Sequence, residues 1–190
     1  MELLKNIRLK IGNLILSKNI ARRKREVKYS NFKNVRNIGI VWDASRPSEF
    51  ASLSKFHSRM QDIKIEVSIL GYFPGKSLPD QYTAIRFLRC IKKDDLNSFY
   101  HPDSSETRSF ISNPFDILID INFNNLVPLR YVTSLSTARF KVGLLDKETT
   151  KTPFDLMMEI KNPVDIESYL TQVIQYLEMI KDKSTKQLNN

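Results

Sequence analysis

Several things are scarce in this chain of 190 residues, and each scarcity excludes something. There is one cysteine, Cys90, so no internal disulfide framework can form, and the reading is a reducing compartment such as the cytoplasm. Two histidines, His57 and His101, with that single cysteine make no metal-ligand cluster, so no metal and no cofactor are expected. The five glycines, Gly12, Gly39, Gly71, Gly75 and Gly143, lie far apart. Neither the GxGxxG turn of dinucleotide-binding proteins nor a phosphate-cradling GxxxxGK[ST] loop occurs. No GxSxG or Cys–His arrangement points to a covalent hydrolase. No apolar run approaches the roughly 18 residues that a membrane span needs. Lys5, Arg8 and Lys10 interrupt the first apolar residues, so no secretory h-region is expected.

What is present is charge of one sign, in one place. Residues 1–36 carry eleven lysines and arginines against Glu2 and Glu26, which accounts for the whole net charge of +9. The rest of the chain holds nineteen basic and nineteen acidic residues and is neutral. A basic arm on a neutral domain points to a polyanion or an anionic surface.

Within the arm, Leu3, Leu4, Ile7, Ile11, Leu14 and Ile15 follow the spacing of an amphipathic helix, and Leu9, Leu16 and Ile20 lie roughly opposite. Gly12 and Asn13 weaken that helix at its middle. The cluster Arg22, Arg23, Lys24 and Arg25 follows, then Lys28, Tyr29, Phe32 and Lys33. Cations for phosphates and rings for bases make these eight residues a candidate RNA-binding stretch. The bland alternative is a solvated lead-in whose apolar side docks on the domain.

From Asn37 the pattern changes to alternating strands and helices. Strands are predicted at 37–44, 63–71, 85–91, 115–122, 140–145 and 154–160. Helices are predicted from Ser45 to about Met60, between Ser104 and Ser112, from Pro128 to Thr137, and from Asn162, Pro163 and Asp165 onward. In that last helix Ile166, Tyr169, Leu170, Val173, Ile174, Leu177 and Ile180 form a stripe. The organising stretch is 115–146, which reads strand, helix, strand, the length of a βαβ unit. The expected architecture is one three-layer, Rossmann-like α/β domain with a mostly parallel sheet over 37–182. A basic helical extension, 1–36, precedes it and a polar tail, 183–190, follows.

In such sheets ligands bind beyond the carboxyl ends of the strands. Asp43, Ser45, Arg46, Asp120, Asn122, Asn124 and Asn125 fall near those ends, and all of these but Asn125 form the candidate ligand pocket. Asp43 and Asp120 could converge there as paired carboxylates. Carboxylates and asparagines at strand exits also cap helices and close turns, with no role in chemistry. Asp116 is expected to mark a strand entrance and Cys90 to be a small core residue.

The segment FDILIDINFNNLVPLRYVTSLSTARFKVG, with the terminal helix YLTQVIQYLEMI, resembles a family of small bacterial proteins of unknown function with a basic N-terminal lead-in. That resemblance implies an α/β fold and no activity. A weaker similarity joins Phe115, Asp116, Ile119, Asp120, Leu135, Ser136, Ala138 and Gly143 to the N-terminal half of heptosyltransferase-like glycosyltransferases. It implies at most a half-fold without transferase activity, since those enzymes need a second domain.

Three functional expectations stand together. The first is a non-catalytic protein whose arm binds RNA or a ribonucleoprotein such as the ribosome. The second is a small-ligand binder or enzyme using the strand ends. The third is a membrane-surface or homo-oligomer role for the N-terminal helix.

Overall fold

The computed structural model describes residues 2–29, 31–146, 152–159 and 165–180. Six strands form one sheet: β1 (Asn37–Asp43), β2 (Glu66–Phe73), β3 (Leu88–Lys92), β4 (Ile117–Ile121), β5 (Lys141–Leu144) and β6 (Leu156–Met158). Their order is β3-β2-β1-β4-β5-β6, and every pairing is parallel. The chain therefore winds outward from β1 in one direction, returns to the middle, and winds outward from β4 in the other. This is the Rossmann-type order, with its switch point between β1 and β4.

The central strands are buried on both faces, which is why β1 (NIGIVWD) and β4 (ILIDI) read as nearly continuous apolar runs. Even-numbered residues of β1, Ile38, Ile40 and Trp42, point into one core together with Ile117, Ile119 and Ile121. Helices α2 (Phe50–Asp62) and α5 (Ile166–Met179) cover that face. The opposite face carries Val41, Leu70, Ile91 and Leu118 under α3 (Ser105–Ser112) and α4 (Val127–Leu135). In α5, Ile166, Tyr169, Leu170, Val173, Ile174 and Leu177 are all buried, as the stripe predicts, while its last member, Ile180, lies just past the helix and is half-buried. At about 1.5–3 kcal/mol per buried side chain, that stripe is a major anchor. Asp165 caps the helix by accepting from Ser168 N at 2.7 Å.

The sheet ends agree with expectation to within a few residues. β3 begins at Leu88 rather than Ile85, because Pro79 to Phe87 is spent on a 3-10 turn and loop. α2 begins at Phe50 because a separate 3-10 turn, Pro47–Glu49, takes up the proline. Asp116 marks the entrance of β4 as expected: its carboxylate accepts from Arg36 N and Asn37 N and pairs with Arg139. Asn162, Pro163 and the tail at 183–190 lie outside the described residues.

The arm is where the fold departs from expectation. α1 (Glu2–Arg22) is a single helix of 21 residues, longer than the apolar spacing alone predicts. Gly12 does not simply weaken it. A Cβ there would lie 2.9 Å from the carbonyl oxygen of Phe99 and 3.2 Å from His101 Nε2, so glycine lets the helix seat against that loop. Asn13 accepts from Arg130 Nη2 of α4 at 2.8 Å. Leu16 is buried in the core shared with α3 and α4, and Phe32 and Val35 are buried in the other. The boundary at Asn37 marks the start of β1, and the core extends upstream of it.

Candidate functional site

β1 and β4 end at neighbouring turns. Past β1, Asp43 Oδ1 accepts from Ser45 N (3.1 Å) and Ser45 Oγ (2.6 Å), closing the turn on itself. Arg46 leaves that turn toward solvent and pairs with Glu49 at 3.3 Å. Past β4, Asn122 spans its turn with both ends of its amide: Oδ1 accepts from Leu126 N and Nδ2 donates to Leu126 O. Asn125 adopts a φ of 50°, a left-handed conformation that asparagine tolerates better than most residues. Asn124 Nδ2 then donates to Asp43 Oδ2 at 2.8 Å. The two turns are thus tied together across the switch point.

Asp43 and Asp120 do not form the expected pair. In the β1–β4 register Asp120 lies opposite Val41, so Asp43 sits about 7 Å further along and one strand over. Each carboxylate has separate partners. Asp120 Oδ1 accepts from Asn122 N at 2.7 Å and Oδ2 from Thr133 Oγ1 of α4 at 2.5 Å. Among the described residues no group of three His, Cys, Asp or Glu could hold a metal.

The open space lies one strand beyond the switch point, over the carboxyl ends of β4 and β5. A cavity of about 360 Å³ is lined there by Asp120, Asn122, Phe123, Arg130, Thr133 and Phe154, among others. A second cavity of about 610 Å³ adjoins it, sharing Arg130, Ser134 and Phe154 and adding Lys141, Arg23 and Arg25. α1 supplies one wall of the second cavity through Asn13, Leu16 and Ser17. Both volumes fall in the range of small-molecule sites.

The electrostatics at the base of these cavities are unusual. Asp120 is buried, and loss of solvation pushes its carboxyl up from 3.8 to about 6, against the pull of Thr133, the Asn122 amide and Lys141. Lys141 is buried too. Desolvation, with Arg25 and Arg23 nearby, brings its amine down from 10.5 to about 7, partly opposed by Asp155 and Asp120. Lys141 Nζ donates to Thr133 O (2.7 Å) and Ser134 O (3.3 Å), two carbonyls at the end of α4. Arg23 donates to Leu135 O on the same turn. Two basic side chains therefore donate where the helix dipole is negative. Thr133 joins the acid to the base, offering its hydroxyl to Asp120 and its carbonyl to Lys141.

Arg130, Thr133 and Lys141 were not among the candidates from the sequence. One signal was present: a lysine inside an apolar strand run is rarely buried without a reason. Cys90 is half-buried and its thiol is pushed up to about 12 by burial, so it is a poor nucleophile. His57 stacks on Phe87 at 3.8 Å on the surface of α2.

The basic arm divides in two. Arg22, Lys24, Lys28 and Lys33 are exposed. Arg23 is spent on α4. Arg25 Nη1 and Nη2 each lie 2.7 Å from an oxygen of Asp155, and Nη1 also reaches Ala138 O at 3.2 Å. The two rings expected to stack on bases are packed instead. Phe32 is buried in the core. Tyr29 lies 4.8 Å from Phe140 and donates its hydroxyl to Leu177 O. Both rings are committed because the arm passes the start of β5 and the end of α5.

A family model described as a family of unknown function, DUF6913, matches residues 8–180. The chain belongs to DUF6913. The match includes most of α1, so in DUF6913 the arm and the α/β domain are covered together. No curated protein matches the chain. The resemblance to glycosyltransferases is accordingly not supported, and its residues have structural work here: Asp116 ties the arm to β4, and Ser136 Oγ accepts from Ala138 N.

Proposed function

We propose that this protein is a Rossmann-like small-ligand-binding domain whose site is the cavity over the carboxyl ends of β4 and β5. One observation carries the reading: a buried carboxyl, Asp120, and a guanidinium, Arg130, line one cavity of metabolite size beside the switch point. Arg130 offers planar donors to a phosphate or carboxylate. Asp120 offers an acceptor to a hydroxyl or amine at the cavity floor. The ligand class is therefore a small metabolite with an anionic group and a polar body. Binding rather than turnover is proposed, and the cytoplasm is its proposed location.

Thermal denaturation with AMP, ADP and glucose 6-phosphate tests this. A ligand at a hundred times its Kd adds about 2.7 kcal/mol, a rise of roughly 5–10 °C for a domain of this size. Arg130→Met should abolish the rise, and Asp120→Asn should reduce it. If no probe raises Tm, or the Arg130→Met chain responds like the parent, the reading fails.

A second reading keeps RNA, or a ribonucleoprotein such as the ribosome, as a partner of the arm. The exposed cations Arg22, Lys24, Lys28 and Lys33 favour it. With both rings packed inside, such binding would rest on phosphates alone and fall steeply with salt. Charge reversal at these four positions, read by anisotropy of a labelled poly(U) strand, tests it: unchanged affinity rules it out.

A further inference from the structure

α1 has two different faces. The inner one, Gly12, Asn13 and Leu16, seats the helix on the domain. The outer one carries the more regular apolar pattern. Leu3 (74% exposed), Leu4 (62%), Ile7 (44%), Ile11 (40%) and Leu14 (71%) recur at three- and four-residue intervals. On a helical wheel they fall within about 120°, the width of a buried stripe. This stripe faces outward. Exposed Arg8, Lys10, Lys18 and Arg22 flank or interrupt it, Lys5 falls on the opposite side of the wheel, and Glu2 is the one acid in the helix.

We infer that the outer face of α1 is an interfacial helix that lies on an anionic lipid surface, leucines and isoleucines among the acyl chains and lysines and arginines among the headgroups. Charge decides between the possible occupants. A second copy would bring two arms of net charge +9 together, and like charges on both sides oppose that contact. RNA would engage the cations but leave the leucines in water, and α1 has no aromatic residue to stack on a base. An anionic bilayer satisfies both halves of the face at once. No helix among the described residues is long and apolar enough to cross a membrane, so α1 lies on the surface. Because its inner face stays on α4, the whole domain would be carried to the lipid, independently of any ligand in the cavity.

Co-flotation of the full chain with phosphatidylcholine vesicles, with and without one third phosphatidylglycerol, tests the inference at low and physiological salt. Binding should require phosphatidylglycerol and weaken about fivefold for each flanking cation replaced by alanine. Leu3→Glu with Leu14→Glu should lower vesicle affinity more than tenfold. Both side chains are exposed, so Tm should not change; a Tm equal to the parent's makes the loss a surface effect. The single changes Leu3→Ser and Leu14→Ser should each give a partial loss, should the double variant fold poorly. The inference is overturned if the parent ignores phosphatidylglycerol, or if the glutamate variant floats like the parent. It is also overturned if the parent sediments as a dimer that the glutamate variant breaks while vesicles remain unbound, or if only poly(U) is bound.

Discussion

Arg25 and Asp155, 130 residues apart, meet in a two-pronged ion pair with both contacts at 2.7 Å and side chains 18% and 14% exposed. Asp155 Oδ2 also accepts from Lys141 N, so the pair fastens the arm to the start of β5. A cation that looks like part of an RNA-binding cluster is therefore a latch.

The latch should be measurable. A double-mutant cycle with Arg25→Ala and Asp155→Asn, followed by urea unfolding, should give a coupling of about 1 kcal/mol, above the median for exposed pairs because both contacts are made at once. A coupling near zero would mean that the pair only decorates the surface.

Removing the arm should cost far more. A chain starting at Asn37 loses Leu16, Phe32 and Val35 from the two cores, about 5–9 kcal/mol at 1.5–3 kcal/mol per buried side chain. That is comparable with the total stability of many domains. The expected result is a chain with no cooperative thermal transition by circular dichroism. A truncated chain with the parent's Tm would show that the arm merely rests on the domain.

The buried acid sets a pH dependence. Asp120 holds its proton more tightly folded (about 6) than unfolded (3.8), so its contribution is fully present below about pH 4 and is lost as pH rises through about 6. The difference amounts to about 3 kcal/mol. Relative to Asp120→Asn, the parent should lose about that much stability between pH 4 and pH 7, read from urea midpoints. Parallel pH profiles for the two chains would show that Asp120 is more solvated than its burial implies.

Gly12 gives a prediction against propensity. Gly12→Ala should favour an isolated helix by about 1 kcal/mol. In the folded chain the new Cβ would press on a backbone oxygen, Phe99 O, which cannot swing aside. Limited proteolysis should therefore cut between α1 and β1 faster in the variant. Slower cutting would mean that the loop at Phe99 yields.

The layers of the fold were legible because burial on both sides leaves a strong mark. β1, β4 and the stripe of α5 could be read from apolar pattern alone, and the alternation of elements implied a parallel sheet. The strand order could not be read, since no local pattern tells β4 to return beside β1. At the site, Asp120 was legible as a carboxylate at a strand exit. Its pairing with Asp43 was not, because the register places them a pleat apart. Thr133 and Lys141 escaped notice because their meaning depends on how α4 lies over β4 and β5. Tyr29 and Phe32 misled for a related reason: neighbouring cations suggested a surface, while Phe140, Leu177 and the core were far away in the chain.

The anchors of the arm also fix an order of events during synthesis. Leu135, Ala138, Asp155 and Leu177, which receive Arg23, Arg25 and Tyr29, follow them by 112 to 148 residues. A ribosome adding about 5–20 residues per second leaves the arm without any of these partners for several seconds. The seat of α1 on Phe99 and Arg130 is made before the latch to Asp155 and the bond to Leu177, which close the arm last. Arg23, Arg25 and Tyr29 are thus made well before the carbonyls and the carboxylate that hold them.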